Sequence, residues 1–183
     1  MEEENWYEIK ASEKYGKGTQ LPILVDKKSG EFKNQSVGIL RFLCSEFGLV
    51  PWGSAGLYEL DWYFDTKADF DNVLGVMNAI YTEEATEADI EMTVETFSNF
   101  MKRCDVRWAD GRQHVTGTNI SAADFNLLAF YTSIVTNKGL FYPQVSKKLQ
   151  EKLANLDHVK RVIENMAYPL KSTIEKLPTG KYF

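Results

Sequence analysis

Gln20-Leu21-Pro22-Ile23-Leu24-Val25, followed a short way on by Gln35-Ser36-Val37-Gly38-Ile39-Leu40-Arg41-Phe42-Leu43, is the stretch on which the fold turns. Leu21 to Asp26 has the apolar run of a strand, Lys27-Lys28-Ser29-Gly30 interrupts it, and Glu31-Phe32-Lys33 returns, so the segment reads as a hairpin. From Gln35 the period lengthens. Ile39, Phe42, Leu43 and Phe47 recur at i, i+3, i+4 and i+8, which is an amphipathic helix ending near Gly48. A proline that enters a strand from a glycine-containing loop can take the cis form at a cost of about 0.5–1 kcal/mol, and a cis bond turns the backbone of the preceding residue outward. The N–H and C=O of Leu21 would be free to pair with an extended peptide as an added strand. Ser36, in the first turn of the helix, sets a hydroxyl beside unpaired N–H groups at the positive end of the helix dipole, a place suited to a carboxylate. Gln35 adds an amide.

Working outward, residues 5 to 12 read as a short helix or turn, and Tyr15-Gly16-Lys17-Gly18-Thr19 as a glycine loop leading to Pro22. Leu49-Val50-Pro51-Trp52-Gly53-Ser54-Ala55-Gly56 has the Pro and Gly content of a linker. Everything beyond it reads as helix. Leu57 to about Met77 is aromatic-rich, and Ile90, Val94, Phe97, Met101 and Cys104 mark one face of the next helix at steps of four, three, four and three. Asp110-Gly111-Arg112 breaks that pattern. Ser121 then serves as N-cap with Asp124 at N3, a capping-box variant, and Ile120 and Phe125 take the positions of a hydrophobic staple. The body of this helix, Phe125 to Val135, is apolar on nearly all sides, which predicts a place at the centre of a bundle. Two further helices are expected around Val145 to Leu153 and Val159 to Met166, before a tail containing Pro178 and Gly180.

The chain has 183 residues, 44% of them hydrophobic, enough for a real core in one domain or in one domain with a fragment of another. A net charge of −5 argues against nucleic acid or anionic lipid as partners, since both favour a basic face. The acidic run Glu83, Glu84, Glu87, Asp89 and Glu91 reads as a solvated helix face. Cys44 and Cys104 lie far apart with no metal-ligand spacing around them, so they read as small buried hydrophobes in a reducing compartment, and no metal site is expected. His114, after a polar loop, and His158, at a helix start, read as surface residues. The opening Met1-Glu2-Glu3-Glu4 has neither the basic nor the apolar region of a targeting signal, and no apolar run approaches the roughly 20 residues of a membrane span, so a cytoplasmic location is expected.

Three patterns in this order resemble the glutathione transferase family, and within it the sigma-like branch that includes the prostaglandin D synthases. They are Trp6-x-x-x-Lys10 shortly before Pro22, the Gln20-Leu21-Pro22 turn with Gln35-Ser36 at the head of a helix, and Gly117-x-x-Ile120-Ser121-x-Ala123-Asp124 opening a later helix. The resemblance implies an α+β, mostly helical fold, with a truncated thioredoxin-like module at 1–48, a linker at 49–56, an all-helical domain at 57–176 and a tail at 177–183. The module is expected to be truncated because only Met1 to Asn5 precede the Trp6 segment, whereas a βαβ unit needs roughly 30 residues.

Glutathione is the ligand this resemblance implies, held weakly. Its cysteinyl backbone would meet Leu21 in the Gln20-Leu21-Pro22 turn, its γ-glutamyl carboxylate Gln35 and Ser36, and its glycyl carboxylate Trp6 and Lys10. Asp69, just before Phe70, resembles the acidic residue that reaches the γ-glutamyl ammonium of a neighbouring subunit. The family lowers the thiol pKa through a Tyr, Ser or Cys on a first strand or the helix after it. No residue here stands in that position, Tyr7 lying in the segment that matches the second helix, so no catalytic residue is assigned. Three readings stay open: a transferase-like protein with a partial glutathione site and little or no conjugating activity, a non-catalytic accessory subunit of a larger assembly, and a shortened form of an active transferase. The expected partner is a second copy of the chain or, by preference, a different protein covering the edge of the shortened sheet.

Overall fold

The computed structural model describes residues 5–137 and 139–176, so the tail expected at 177–183 and the opening acidic residues lie outside the described residues. The chain divides at Val50–Pro51 into two units. In the first, Asn5 caps helix α1 (Trp6–Ala11) by accepting the Tyr7 N–H at 3.0 Å. A loop follows in which Gly16 (φ 89°) and Gly18 (φ 77°) are left-handed, a conformation glycine adopts without steric cost. Strands β1 (Leu24–Val25) and β2 (Phe32–Lys33) pair antiparallel, Leu24 opposite Lys33 and Val25 opposite Phe32. Their connection closes on Asp26, whose Oδ1 accepts the N–H groups of Lys28 (2.7 Å) and Ser29 (3.2 Å), and those bonds hold its carboxyl below the usual range. Tyr15 packs edge-on against Phe32, ring centroids 5.3 Å apart, and so ties the glycine loop to the hairpin. Helix α2 (Ser36–Glu46) buries Ile39 and Cys44. The hairpin and α2 lie within the stretches that the apolar run and the longer period mark, but β1 is shorter than the expected Leu21 to Asp26, covering Leu24–Val25.

The second unit is helical throughout: α3 (Gly53–Asp71), α4 (Leu74–Tyr81), α5 (Glu87–Arg107), α6 (Ala122–Ile134), α7 (Pro143–Lys152) and α8 (Asp157–Ile174). Helix α3 begins at Gly53, inside the stretch whose Pro and Gly content reads as linker. What reads as one helix from Leu57 to Met77 is two, separated at Asn72 and Val73. The helix opened by Ser121 is buried or half-buried along its length, with only Ala129 exposed. Helix α5 packs against α3, α4, α7 and α8, and α6 packs against α3 and α8 and brings Phe130 against Phe97 and Phe100 of α5. The 21 residues of α5 give it the reach to meet this many neighbours.

Core packing is aromatic. Phe70, Phe97, Phe100 and Phe130 form a cluster with centroids 5.1–6.5 Å apart, mostly edge to face, extended by Tyr63 against Phe100 at 5.9 Å. Cys44 and Cys104 are free and buried, and burial pushes both thiols up in pKa. The helix ends are held by carboxylates. Asp124 accepts the Ser121 N–H and hydroxyl, both at 2.8 Å, and also the Val115 N–H at 2.9 Å. Asp105 reaches from α5 to cap α8, accepting the His158 and Val159 N–H groups at 2.9 and 3.0 Å. Both histidines, expected at the surface, are half-buried. The loop before α6 lays His114 Nδ1 3.4 Å from Asp124 Oδ1, and α8 sets His158 Nδ1 3.1 Å from Arg161 Nη1.

Candidate functional site

The first unit holds a polar cleft of about 470 Å³, with Lys17 to Leu21 and Asn34 to Ser36 along it. Its floor follows from the local chemistry of α2. Gln35 is the N-cap residue, but its side chain makes no capping hydrogen bond. Gln is a poor cap beside Ser, Thr, Asp or Asn. The N–H groups of the first turn therefore stay open to whatever enters, at the positive end of the helix. Gln35 itself holds φ 69°, ψ 105°, a left-handed conformation that costs a non-glycine residue roughly 1–3 kcal/mol and tends to be kept where the backbone serves a ligand.

The other wall is a run of exposed backbone. The Leu21–Pro22 bond is cis, Leu21 is 61% exposed, and its N–H and C=O carry no hydrogen bond among the described residues. Thr19 lies on the same wall, but its hydroxyl is committed to the Tyr15 carbonyl at 2.5 Å. The cleft thus combines open backbone groups, the amides of Gln20, Asn34 and Gln35, the Ser36 hydroxyl and one cation, Lys17. This is an inventory for an extended, acidic peptide.

Of the residues singled out from the sequence, Gln20, Leu21, Gln35 and Ser36 meet at this cleft, and Pro22 adjoins it. Trp6, half-buried, and Lys10, exposed in the last turn of α1, are not among the residues lining it. Asp69 belongs to the second unit, where it pairs with Arg103 at 3.4 Å and lines a separate cleft of about 380 Å³ with Tyr58, Asp61, Trp62, Asp65 and Thr66. Sequence reasoning missed Lys17, Thr19 and Asn34. The signal for Lys17 was present in its setting between two glycines. Asn34 offered only its place before Gln35.

No family model matches the chain. Proteins described as glycerol-3-phosphate dehydrogenase 2, from Mycobacterium bovis and Mycobacterium tuberculosis, are 40% identical to it over 62 residues, covering 29% of this chain and 11% of each of those proteins. The chain thus spans about a tenth of the length of the curated relatives it matches. The folds agree far more broadly. A nu-class glutathione transferase from Haemonchus contortus superimposes with a TM-score of 0.67 at 20% identity, covering 100% of this chain and 84% of that one. A pi-class glutathione S-transferase from Onchocerca volvulus does so with a TM-score of 0.62 at 20% identity, covering 98% and 82%. The chain has the glutathione transferase fold: a thioredoxin-like portion carrying the cleft, and an all-helical domain.

Proposed function

We propose that the chain is a glutathione-binding protein of sigma-like character that holds the tripeptide in the cleft between Leu21 and the head of α2. The observation that supports this most is the meeting of open Leu21 backbone groups with the uncapped first turn of α2 in a single cleft. In this reading Leu21 pairs with the cysteinyl residue as an added strand, and Gln35, Ser36 and the α2 amides take the γ-glutamyl carboxylate. Affinity is weak, with a dissociation constant near millimolar, about −4 kcal/mol. Conjugating activity is at trace level. Lowering a thiol pKa from about 8.5 by 2 units needs roughly 2.7 kcal/mol of preferential stabilisation of the thiolate. The Thr19 hydroxyl, already donated to Tyr15, does not supply it. Titration calorimetry of the chain and of Ser36→Ala, with a chlorodinitrobenzene assay on the same preparation, tests both halves. Binding should fall at least fivefold in the variant, and conjugation should stay near background. Tight binding unchanged in Ser36→Ala would refute the site, and turnover like that of a full transferase would refute the claim of trace activity.

A second reading is favoured by the sheet. Each of β1 and β2 pairs only with the other among the described residues, and Val25, Phe32 and Phe42 are 38%, 41% and 36% exposed. Open edges beside apolar side chains suit pairing with another chain. In this reading a different protein, rather than a second copy, covers the hairpin. Cross-linking from residue 25 in a cell extract tests it, and recovery of the uncross-linked monomer alone would count against it.

A further inference from the structure

We propose that the helical unit carries a binding site for a linear aliphatic diamine in the cleft of about 380 Å³ along α3, held by Asp61, Asp65 and the Thr66 hydroxyl. Every residue lining this cleft lies downstream of Pro51, so the site holds whether or not the first unit binds glutathione. Thr66 is the residue that points to a ligand. It is 5% exposed, it lines the cleft, and its hydroxyl makes no hydrogen bond among the described residues. Thr93, Ser98 and Thr132, on neighbouring helices, each return the hydroxyl to a carbonyl four residues back. Thr66 does not. A hydroxyl this deeply buried is costly without a partner, and a group entering the cleft supplies one.

The charges beside Thr66 specify what enters. Asp61 and Asp65 are exposed and stand one turn apart on the same face of α3, about 6 Å along the helix. Asp65 forms no ion pair among the described residues. At the far end Asp69 is taken by Arg103 at 3.4 Å, and Arg107, 4.4 Å over the Trp62 ring, is neutralised by Glu59. Three carboxylates against the one guanidinium of Arg103 leave the lining two charges negative, and two ammonium groups neutralise it. An ammonium donates three hydrogen bonds, so the one at Asp65 also has a donor for the Thr66 hydroxyl. A spacer of about four methylenes spans the distance to Asp61, and Tyr58 and Trp62 give those methylenes an aromatic wall. A bare divalent cation would leave that wall unused. The net charge of −5 adds a field that draws cations to the surface.

The test is an NMR titration of the full chain with putrescine, the four-carbon diamine, and in parallel with butylamine and with calcium chloride. Putrescine should bind with a dissociation constant near millimolar, because the carboxylates are exposed, and should move the amides of α3 around Asp61 to Thr66. Butylamine, with one ammonium, should bind about tenfold more weakly, and calcium should not reproduce the pattern. Asp65→Asn should weaken putrescine by about tenfold and Thr66→Val by about threefold. Thr66→Ser, which keeps the hydroxyl, should bind as the unmodified chain does, and so should Glu151→Gln, an exposed charge change outside the cleft. The proposal is overturned if butylamine or calcium matches putrescine, or if Asp65→Asn or Thr66→Val binds normally. A loss in Thr66→Ser or Glu151→Gln equal to that in Asp65→Asn, or no binding of putrescine to the unmodified chain, overturns it equally.

Discussion

At the scale of single residues, Gln35 sets stability against the glutathione binding proposed above. Its φ of 69° is a conformation glycine adopts freely. Gln35→Gly should relieve roughly 1–3 kcal/mol of strain and give back about 0.4–1 kcal/mol through a freer unfolded chain. The net gain is about 1 kcal/mol, a rise in Tm of about 2–4 °C. The same change deletes the amide from the cleft, so glutathione affinity should fall. Thermal unfolding and calorimetry on one preparation read both directions, and a variant that loses stability would show that Gln35 is not strained. This residue also marks the limit of what a sequence discloses. Gln20, Leu21, Gln35 and Ser36 were legible because a proline turn and a helix head are local patterns. Lys17 and Asn34 were not, since their meeting depends on how the glycine loop returns across the hairpin. The half-buried setting of His114 was hidden for the same reason: Asp124, ten residues away, creates it.

At the scale of elements, the arrangement around Glu59 joins α3 to α5 and to the loop before α6. Arg107 grips both carboxylate oxygens at 2.8 and 2.7 Å and lies 4.4 Å over the Trp62 ring, and Arg112 adds a bond of 2.7 Å. Burial would raise the Glu59 carboxyl, but the two guanidinium groups outweigh it and hold the carboxyl below its ordinary 4.5. Asp110, held by Arg112, is drawn down to about 2. Because these folded values lie below the unfolded ones, their stabilisation is present above pH 4.5 and is lost as the pH falls through the folded values. Glu59→Gln should cost about 2 kcal/mol at neutral pH. That is less than the about 3–5 kcal/mol of a fully buried pair, because these side chains are 11–25% exposed. The deficit against the unmodified chain should shrink as the pH falls below 4. A deficit that stayed constant from pH 7 to pH 3 would mean that packing, and not charge, is what Glu59 provides. None of this pairing was visible in the sequence, where Glu59 and Arg112 are far apart. Helix existence was legible from periodicity throughout, yet the capping box of α5, Thr86 with Asp89, passed for part of a solvated acidic face because charge there masks the cap.

At the scale of the molecule, the two units differ in how much they bury. Among residues 5–50 only Ile39 and Cys44 are buried apolar side chains, whereas the helical unit buries Tyr63, Phe70, Phe97, Met101, Trp108 and many more. A two-stranded sheet has little stability of its own. Unfolding should therefore proceed in two steps, the hairpin and α2 opening below the melting of the helical unit. Hydrogen exchange should show weak protection of the Leu24 and Val25 amides and strong protection along α5 at Val94, Phe97 and Met101. Equal protection of Val25 and Val94, or one sharp calorimetric transition whose van't Hoff and calorimetric enthalpies agree, would contradict this. The overall architecture was legible in advance because the change from strand period to helix period is a coarse signal that survives errors at individual boundaries. The division at Val50–Pro51 also gives an engineer a splice point. The residues lining the cleft at the head of α2 all lie upstream of it, so the proposed recognition end can be exchanged or randomised as a cassette while the helical chassis is inherited unchanged.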